Sequence, residues 1–172
     1  MRSIARTLFA CAALAIAYPA AGQQPQPPTT VRDVYLAGWN EINGKLVKMA
    51  EEFPENKFDF KPVDGVRTFA EVLRHVAFWN EWVAKRARGE KPDGKPNELS
   101  KTEFGTKAKI VAALKSSIAA GADELKKQPA APDARQAELW SSFIAHSSEH
   151  YGQLVVYYRL NGLVPPSSRS TN

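Results

Sequence analysis

Apolar residues recur every three to four positions along most of this chain, which is the spacing that places side chains on one face of an α-helix. Four such segments follow one another after residue 29, separated by stretches that contain Pro and Gly. No segment alternates apolar and polar residues over the length of a β-strand. The pattern therefore predicts an all-α fold, a four-helix bundle.

Capping residues indicate where the first two helices begin and end. Helix one is predicted from near Thr30 to Phe53, where a proline follows. Helix two begins with a capping box, Thr68 to Glu71, and ends before Gly89. The inward stripe predicted for helix one consists of Val31, Val34, Tyr35, Gly38, Ile42, Leu46, Met49 and Phe53.

The same signals predict the other two helices. Helix three is expected to begin with a second capping box, Ser100 to Glu103. Helix four is expected to begin at Asp133 and to end at Asn161, ahead of a glycine and two prolines. The inward stripe predicted for helix four consists of Leu139, Phe143, His146, Ser147, His150 and Leu154.

The predicted connections differ in length. The links over 54–67 and 89–99 are long, whereas the link over 128–132 is short. Long links permit a crossover in place of a plain up-and-down path. The sequence alone does not decide between the two paths.

The first 22 residues have the features of a cleaved secretory signal peptide. A basic start with Arg2 and Arg6 precedes an apolar stretch over 7–17, and small residues follow. The apolar stretch is shorter than the roughly 20 residues that span a bilayer. We therefore expect a periplasmic or secreted protein with no stable membrane insertion after cleavage. Residues 23–29 would form a linker, 30–166 the bundle and 167–172 a flexible tail.

Removal of the signal peptide changes the chemistry of the mature chain. It takes away the only cysteine, so no disulfide, thiol nucleophile or thiolate ligand remains. Because two arginines and no acidic residues leave, the net charge falls from +5 to about +3. This excess is small, and the basic residues near the second long link have few aromatic neighbours, so we expect no nucleic-acid partner. A small-molecule substrate and a homodimer both remain compatible with the sequence.

The chain contains three histidines, His75, His146 and His150. The last two lie four residues apart in a predicted helix, so both imidazoles point within roughly 40° of one direction. His75 lies in the second predicted helix, from which a bundle can supply a third ligand. By spacing alone, a three-histidine metal site competes with the alternative that these are core histidines with ordinary hydrogen-bond partners. The spacing is not that of a zincin, which needs glutamate directly after the first histidine.

Two segments resemble a known family. They are F-A-E-V-L-R-H-V-A-F-W-N in helix two and H-S-S-E-H-Y-G-Q-L-V-V-Y-Y-R-L-N-G-L-V-P-P in helix four, and K-P-V-D-G-V-R-T-F before helix two adds to them. Together they resemble the DinB/YfiT-like metalloenzyme family, which shares a name with an unrelated DNA polymerase. The resemblance implies a four-helix bundle with a long crossover, which we expect between helices two and three. It also implies one divalent ion held by His75, His146 and His150.

The expected chemistry follows from this ligand set. Three protein ligands leave a divalent ion an open position, as in catalytic sites. Three imidazoles suit zinc, nickel, iron and copper, of which we expect zinc or nickel. The family includes thiol-dependent S-transferases and isomerases, and many members with no assigned reaction. The resemblance thus makes thiol-dependent S-transfer one catalytic hypothesis, although export away from cytosolic thiol pools weakens it. Hydrolysis by a metal-bound water is the other catalytic hypothesis, and a metal-binding or stress-related bundle without turnover is the alternative.

Five further residues are candidates near the histidines. Glu71 and Glu149 are the nearest carboxylates in the sequence, but the capping box accounts for Glu71, and Glu149 is rotated about 100° from His150. We therefore expect both to be structural or solvent-facing. Gln153 and Tyr151 are candidates for contacts with the metal ligands or the substrate. Ser147 is small enough to leave room for an ion, or could simply allow close helix packing.

Overall fold

The computed structural model describes residues 27–170, and the predicted signal peptide lies outside this range. Within it the chain forms four α-helices and two short 3-10 helices, Glu55–Lys57 and Pro166–Ser168. The four helices are α1 (Val31–Glu52), α2 (Phe69–Ala87), α3 (Lys107–Lys127) and α4 (Ala134–Leu160). The described residues form no strand, so the predicted all-α four-helix bundle is confirmed.

The predicted caps of three helices are present. The side chain of Thr30 accepts a hydrogen bond from the backbone N–H of Asp33 at 3.1 Å. At the start of α2 both bonds of the capping box form, 3.2 Å from the N–H of Glu71 to Thr68 and 2.7 Å from the N–H of Thr68 to Glu71. Asp133 caps α4 in the same way. These bonds satisfy backbone donors that the first helical turn leaves free.

Helix three begins later than the sequence suggested, so the predicted start at Ser100 is wrong. The helix begins at Lys107, with Thr106 as its N-cap accepting from the N–H of Lys109 at 3.3 Å. A helix from Ser100 would have to pass through Gly105, which weakens a helix interior by about 1 kcal/mol relative to alanine. The competing cap at Thr106 avoids that cost, and residues 101–103 form a turn instead.

The bundle is not a plain up-and-down arrangement. Helix α1 packs against α3 and α4, and α2 packs against the same two helices, so α1 and α2 lie diagonally opposite each other. The side chain of Lys107, at the start of α3, donates to the carbonyl oxygen of Phe53 at the end of α1. Further back along α1, the side chain of Trp39 donates to the carbonyl oxygen of Ile118 of α3, so the two helices run antiparallel. The side chain of Asn80 donates to that of Asn43, and Phe69 at the start of α2 stacks on Phe53 at the end of α1. Helix α2 is therefore also antiparallel to α1. Helices α2 and α3 are therefore parallel, and the link between them is the expected long crossover.

This crossover, residues 88–106, returns along the side of α2. The indole N–H of Trp82 donates to the carbonyl of Pro92 at 3.0 Å, and that of Trp79 donates to the side-chain oxygen of Asn97 at 2.7 Å. Further along, the N–H of Leu99 reaches the carbonyl of Arg74 at 3.4 Å. The crossover thus lies beside the part of α2 that carries His75.

The first turn of α1 departs from its predicted stripe. Val31 and Val34 are 49% and 57% exposed, whereas Ile42, Leu46, Met49 and Phe53 are buried as predicted. Between the two valines, Arg32 donates to the carbonyl oxygens of Gln128 and Ala130. This turn therefore presents Arg32, and not the valines, to the neighbouring segment.

The last described residues pack back onto α1. Residues 167–170, assigned to a flexible tail by sequence, include part of the second 3-10 helix, and Arg169 forms an ion pair with Glu52 of α1 at 2.5 Å. Over residues 27–170, none of the helices combines the length and apolar character needed to cross a membrane.

Candidate metal centre

The three histidines meet in the groove between α2 and α4. Helix α4 runs antiparallel to α2, because Tyr157 contacts Arg67 before α2 and Phe143 lies beside Trp79 further along it. Between these contacts, His75 of α2 lies level with His146 and His150 of α4. One nitrogen from each ring lies within 4.8 Å of the others, and Nε2 of His75 is 3.0 Å from Nε2 of His146. The structure thus brings together all three residues that the spacing selected.

The crossover sets the proton position on His75. Its Nδ1 lies 2.6 Å from the backbone carbonyl oxygen of Asn97, which can only accept a hydrogen bond. Nδ1 therefore carries the proton, and Nε2 presents its lone pair to the other two histidines. Asn97 has a φ of 75°, a left-handed conformation that asparagine tolerates better than most residues.

A chain of three hydrogen bonds sets the proton position on His150. The hydroxyl of Tyr157 donates to the carbonyl oxygen of Arg67 at 2.7 Å, so it accepts from Nε2 of Gln153 at 2.9 Å. The side-chain oxygen of Gln153 must then face Nδ1 of His150, 3.0 Å away. Because that oxygen accepts, Nδ1 of His150 donates and Nε2 is left with its lone pair.

His146 differs from the other two. Its Nδ1 is buried and has no hydrogen-bond partner among the described residues. An unpartnered buried polar atom costs about 1 to 3 kcal/mol. Nε2 of the same ring faces Nε2 of His75 at 3.0 Å, so Nε2 is the nitrogen that His146 presents to the other two histidines, and its Nδ1 lacks the acceptor that orients the other two rings.

Burial keeps the three imidazoles neutral. Desolvation lowers the pKa of His75 to about 4, against a smaller opposing effect of the Asn97 carbonyl. Desolvation and the neighbouring histidines lower the pKa of His146 to about 3. The pKa of His150 is also lowered by burial, although its bond to Gln153 opposes the shift. Neutral imidazole is the form that binds metal ions.

These observations fit a divalent ion. Two imidazoles have their Nε2 lone pairs directed inward by carbonyl-type acceptors on Nδ1, which is the usual arrangement around metal-bound histidine. The third, His146, brings its Nε2 to 3.0 Å from Nε2 of His75. The three histidines therefore form a candidate divalent metal site, and their chemistry does not specify which metal binds.

Aromatic side chains form one wall of the groove. The ring of Trp79 lies between 5.4 and 6.3 Å from those of His75, His146, Trp82 and Phe143, centroid to centroid. The rings of Trp82 and Phe143 stack at 5.5 Å and 25° and face a cavity of about 550 Å³. The bonds of both indoles to the crossover hold this wall in place and limit the access of water to the histidines from that side.

The other candidate residues take different roles. Glu71 is engaged in the cap of α2 and Glu149 is exposed, as predicted for both. Ser147 is fully buried and donates to the side chain of Asn43, so it packs helices rather than leaving space for an ion. Tyr151 packs against the core, with Nζ of Lys45 5.8 Å from its ring centroid, and within residues 27–170 it makes no hydrogen bond to the histidines.

Sequence reasoning missed Asn97, Tyr157 and Arg67. Tyr157 lies on the buried face of α4, where the sequence pattern predicts that an aromatic residue belongs to the hydrophobic core. Asn97 and Arg67 lie in links without helical periodicity. For Asn97 the available signal was topological, since a crossover between parallel helices must pass close to one of them. Arg67 lies in the segment K-P-V-D-G-V-R-T-F, which carries the family resemblance but does not indicate a role for this residue.

The comparisons agree with this geometry. No curated protein shows a significant match to the chain. A sequence model described as the DinB superfamily matches residues 39–154, which include all three histidines and Gln153. The match covers more than half of the chain, from the middle of α1 into α4. On this evidence the protein belongs to the DinB superfamily.

Proposed function

We propose that this protein is an exported enzyme that depends on one divalent ion, zinc or nickel, held by His75, His146 and His150. The observation that carries the proposal is the convergence of three neutral imidazoles, two of them with Nε2 lone pairs fixed inward by Asn97 and Gln153. Three protein ligands leave a coordination position for a substrate.

When bound, such an ion lowers the pKa of a coordinated thiol or water and so supplies a nucleophile near neutral pH. The residues of the chain hold and shield that position. Two imidazoles are oriented by hydrogen bonds, His75 by Asn97 and His150 by Gln153, which Tyr157 holds in turn. Water reaches them less easily from the side of the aromatic wall formed by Trp79, Trp82 and Phe143.

The surroundings of the histidines favour thiol-dependent S-transfer over hydrolysis. Metal-bound water has a pKa near 7 and is only partly deprotonated at neutral pH, so a hydrolase generally adds a carboxylate or histidine as general base, whereas a metal-bound thiol loses its proton outright. Among the described carboxylates, Glu71 is occupied in the cap of α2, Glu98 is paired with Arg67 and Arg74, and Glu149 is exposed. None of the three is placed as a base for water attack.

The same observation supports the second candidate, a metal-binding bundle without turnover. Assays of the metal-loaded mature protein with a panel of low-molecular-weight thiols and electrophiles separate the two. Thiol consumption that requires the metal and disappears in His150→Ala supports the enzyme. Ester and amide substrates are included to test for hydrolysis. Stoichiometric metal binding without turnover of these substrates or of any thiol–electrophile pair supports the second candidate.

Export is tested separately. Expression with the native N-terminus should yield periplasmic or secreted protein that lacks residues 1 to about 22. Intact-mass analysis of the exported fraction measures the cleavage position, and a full-length cytoplasmic product would contradict export.

A further inference from the structure

A polar cavity of about 580 Å³ adjoins the histidine site on the side opposite the aromatic wall. It is lined by Gly65, Val66, Arg67, Glu71, Glu98 and Gln153. Gln153 belongs to both places, because it lines the cavity and contacts Nδ1 of His150 at 3.0 Å. The cavity wall is therefore one imidazole ring away from the inward-facing Nε2 of His150.

Arg67 is the residue of this cavity with donors to offer. Its side chain is 34% exposed, and its one hydrogen bond runs from Nε to Glu98 at 3.4 Å. Its two terminal nitrogens have no hydrogen-bond partner within residues 27–170. Two terminal nitrogens of a guanidinium match the geometry of a carboxylate. The backbone of Arg67 is fixed at the same time, because its carbonyl oxygen accepts from Tyr157 at 2.7 Å.

The two acidic residues of the cavity are already engaged. Glu98 lies between two guanidiniums, with one oxygen 3.4 Å from Arg67 and the other 3.4 Å from the buried Arg74. Glu71 accepts from the N–H of Thr68 and lies 4.0 Å from Arg74. The two arginines balance the two glutamates, so a divalent ion at the histidines would make the whole site positive.

A short chain of hydrogen bonds connects Arg67 to the histidines. Its carbonyl oxygen accepts from Tyr157, whose hydroxyl accepts from Gln153, and Gln153 contacts Nδ1 of His150. A group anchored at Arg67 would therefore lie within a small molecule's length of the proposed ion.

We propose that Arg67 binds a carboxylate of the substrate in this cavity while the reactive group of the same molecule lies at the three-histidine site. The inference rests on the proposed metal site and narrows its substrate to molecules that carry a carboxylate. Arg67 is then a specificity-determining residue.

Cobalt(II)-loaded protein provides the test, because a thiol that binds the ion produces a sulfur-to-cobalt charge-transfer band. Mercaptoalkanoates of two to six carbons are titrated against mercaptoalcohols of the same lengths. At the length that spans the two points, the carboxylate probe should bind about tenfold more tightly or better, the range expected for a hydrogen-bonded charge pair. Cysteamine, which carries an ammonium group, should bind least well.

Substitutions assign the preference to Arg67. Arg67→Gln should bring each pair of probes to equal affinity, whereas Arg67→Lys should retain part of the preference because it keeps the charge. Arg135→Gln, which removes an exposed arginine near the start of α4, is the matched control and should retain the full preference. Circular dichroism confirms that each variant is folded.

The outcomes separate this inference from the function on which it rests. Cobalt bound at one ion per chain with no carboxylate preference at any length would overturn the inference and leave the metal site standing. A preference that survives in Arg67→Gln would do the same. Failure of the wild-type protein to bind cobalt would overturn both.

Discussion

The backbone carbonyl oxygen of Asn97 lies 2.6 Å from Nδ1 of His75, which ties the crossover connection to the candidate metal centre. The crossover is long because α2 and α3 run parallel, so the chain must return along the bundle before α3 can begin. On that return it passes α2 and fixes the orientation of one imidazole. A requirement of the topology thus also serves the site.

Substitution of Asn97 should weaken metal binding through the backbone. Asn97→Ala removes the bond to Trp79 and places a residue that disfavours the left-handed region at φ 75°. We expect the metal affinity to fall by about tenfold or more, as for other groups that orient metal ligands. Asn97→Gly loses the same side-chain bond, but glycine adopts a φ of 75° without strain. This variant should therefore lose less metal affinity. Competition with a chromophoric chelator measures both, and equal losses would contradict the role of the backbone conformation.

The hydroxyl of Tyr157 should matter for metal affinity more than for folding. Tyr157→Phe removes the group that holds the amide of Gln153 and, through it, the proton on Nδ1 of His150. We expect a loss of about tenfold in affinity. Tyr158→Phe is the matched control, because that hydroxyl is equally buried but donates to the carbonyl of Met49. It should lower the free energy of unfolding without changing metal affinity. An equal effect of both variants on affinity would contradict the proposed role of the hydrogen bonds from Tyr157 through Gln153 to His150.

Acidification should remove the metal at a lower pH than free imidazole suggests. Protons compete for His75 and His146 only near their pKa values of about 4 and 3, far below the ordinary 6.5. Occupancy should stay level from pH 8 to pH 6 and fall steeply toward pH 4. A midpoint at or above pH 6.5, by metal analysis after equilibrium dialysis, would contradict this prediction.

The stability of the metal-free chain should follow the same pKa values. Between pH 6.5 and 4 the unfolded chain binds protons at these histidines that the folded chain does not. The free energy of unfolding therefore falls as the pH drops through this window, and above pH 7 the histidines contribute no pH dependence. Urea melts at several pH values measure this slope, and a flat dependence would contradict the lowered pKa values.

Gly121 of α3 should resist substitution, because a Cβ there would lie 2.3 Å from the fully buried ring of Trp39. Gly121→Ala should lower the free energy of unfolding by about 1 to 3 kcal/mol through overpacking. Gly44→Ala in α1 is the control, since a Cβ there meets nothing within 4 Å. It should raise the free energy of unfolding by up to about 1 kcal/mol. Similar changes in both variants, measured by urea denaturation, would contradict the packing argument.

The sequence predicted the helices well where local chemistry decides. Caps such as Thr68 and Asp133 act within one helical turn, so they can be recognised in a short segment. It failed at Ser100, where two caps competed, and at Val31, whose exposure depends on which side of the first turn the neighbouring segment contacts. The three histidines were found because the i, i+4 spacing is itself local. Asn97 and Arg67 could not be found, because their positions depend on how the links fold against α2 and α4.

The central claim is that His75, His146 and His150 together hold one divalent ion that the fold does not require. Elemental analysis of tag-free mature protein, after equilibration with zinc and dialysis, tests it together with circular dichroism. We expect about one ion per chain, almost none in His75→Ala, His146→Ala or His150→Ala, and an unchanged helical signal in all four proteins and in the metal-free chain. Full occupancy in His150→Ala, or loss of the helical signal when the metal is withdrawn at neutral pH, would contradict the claim.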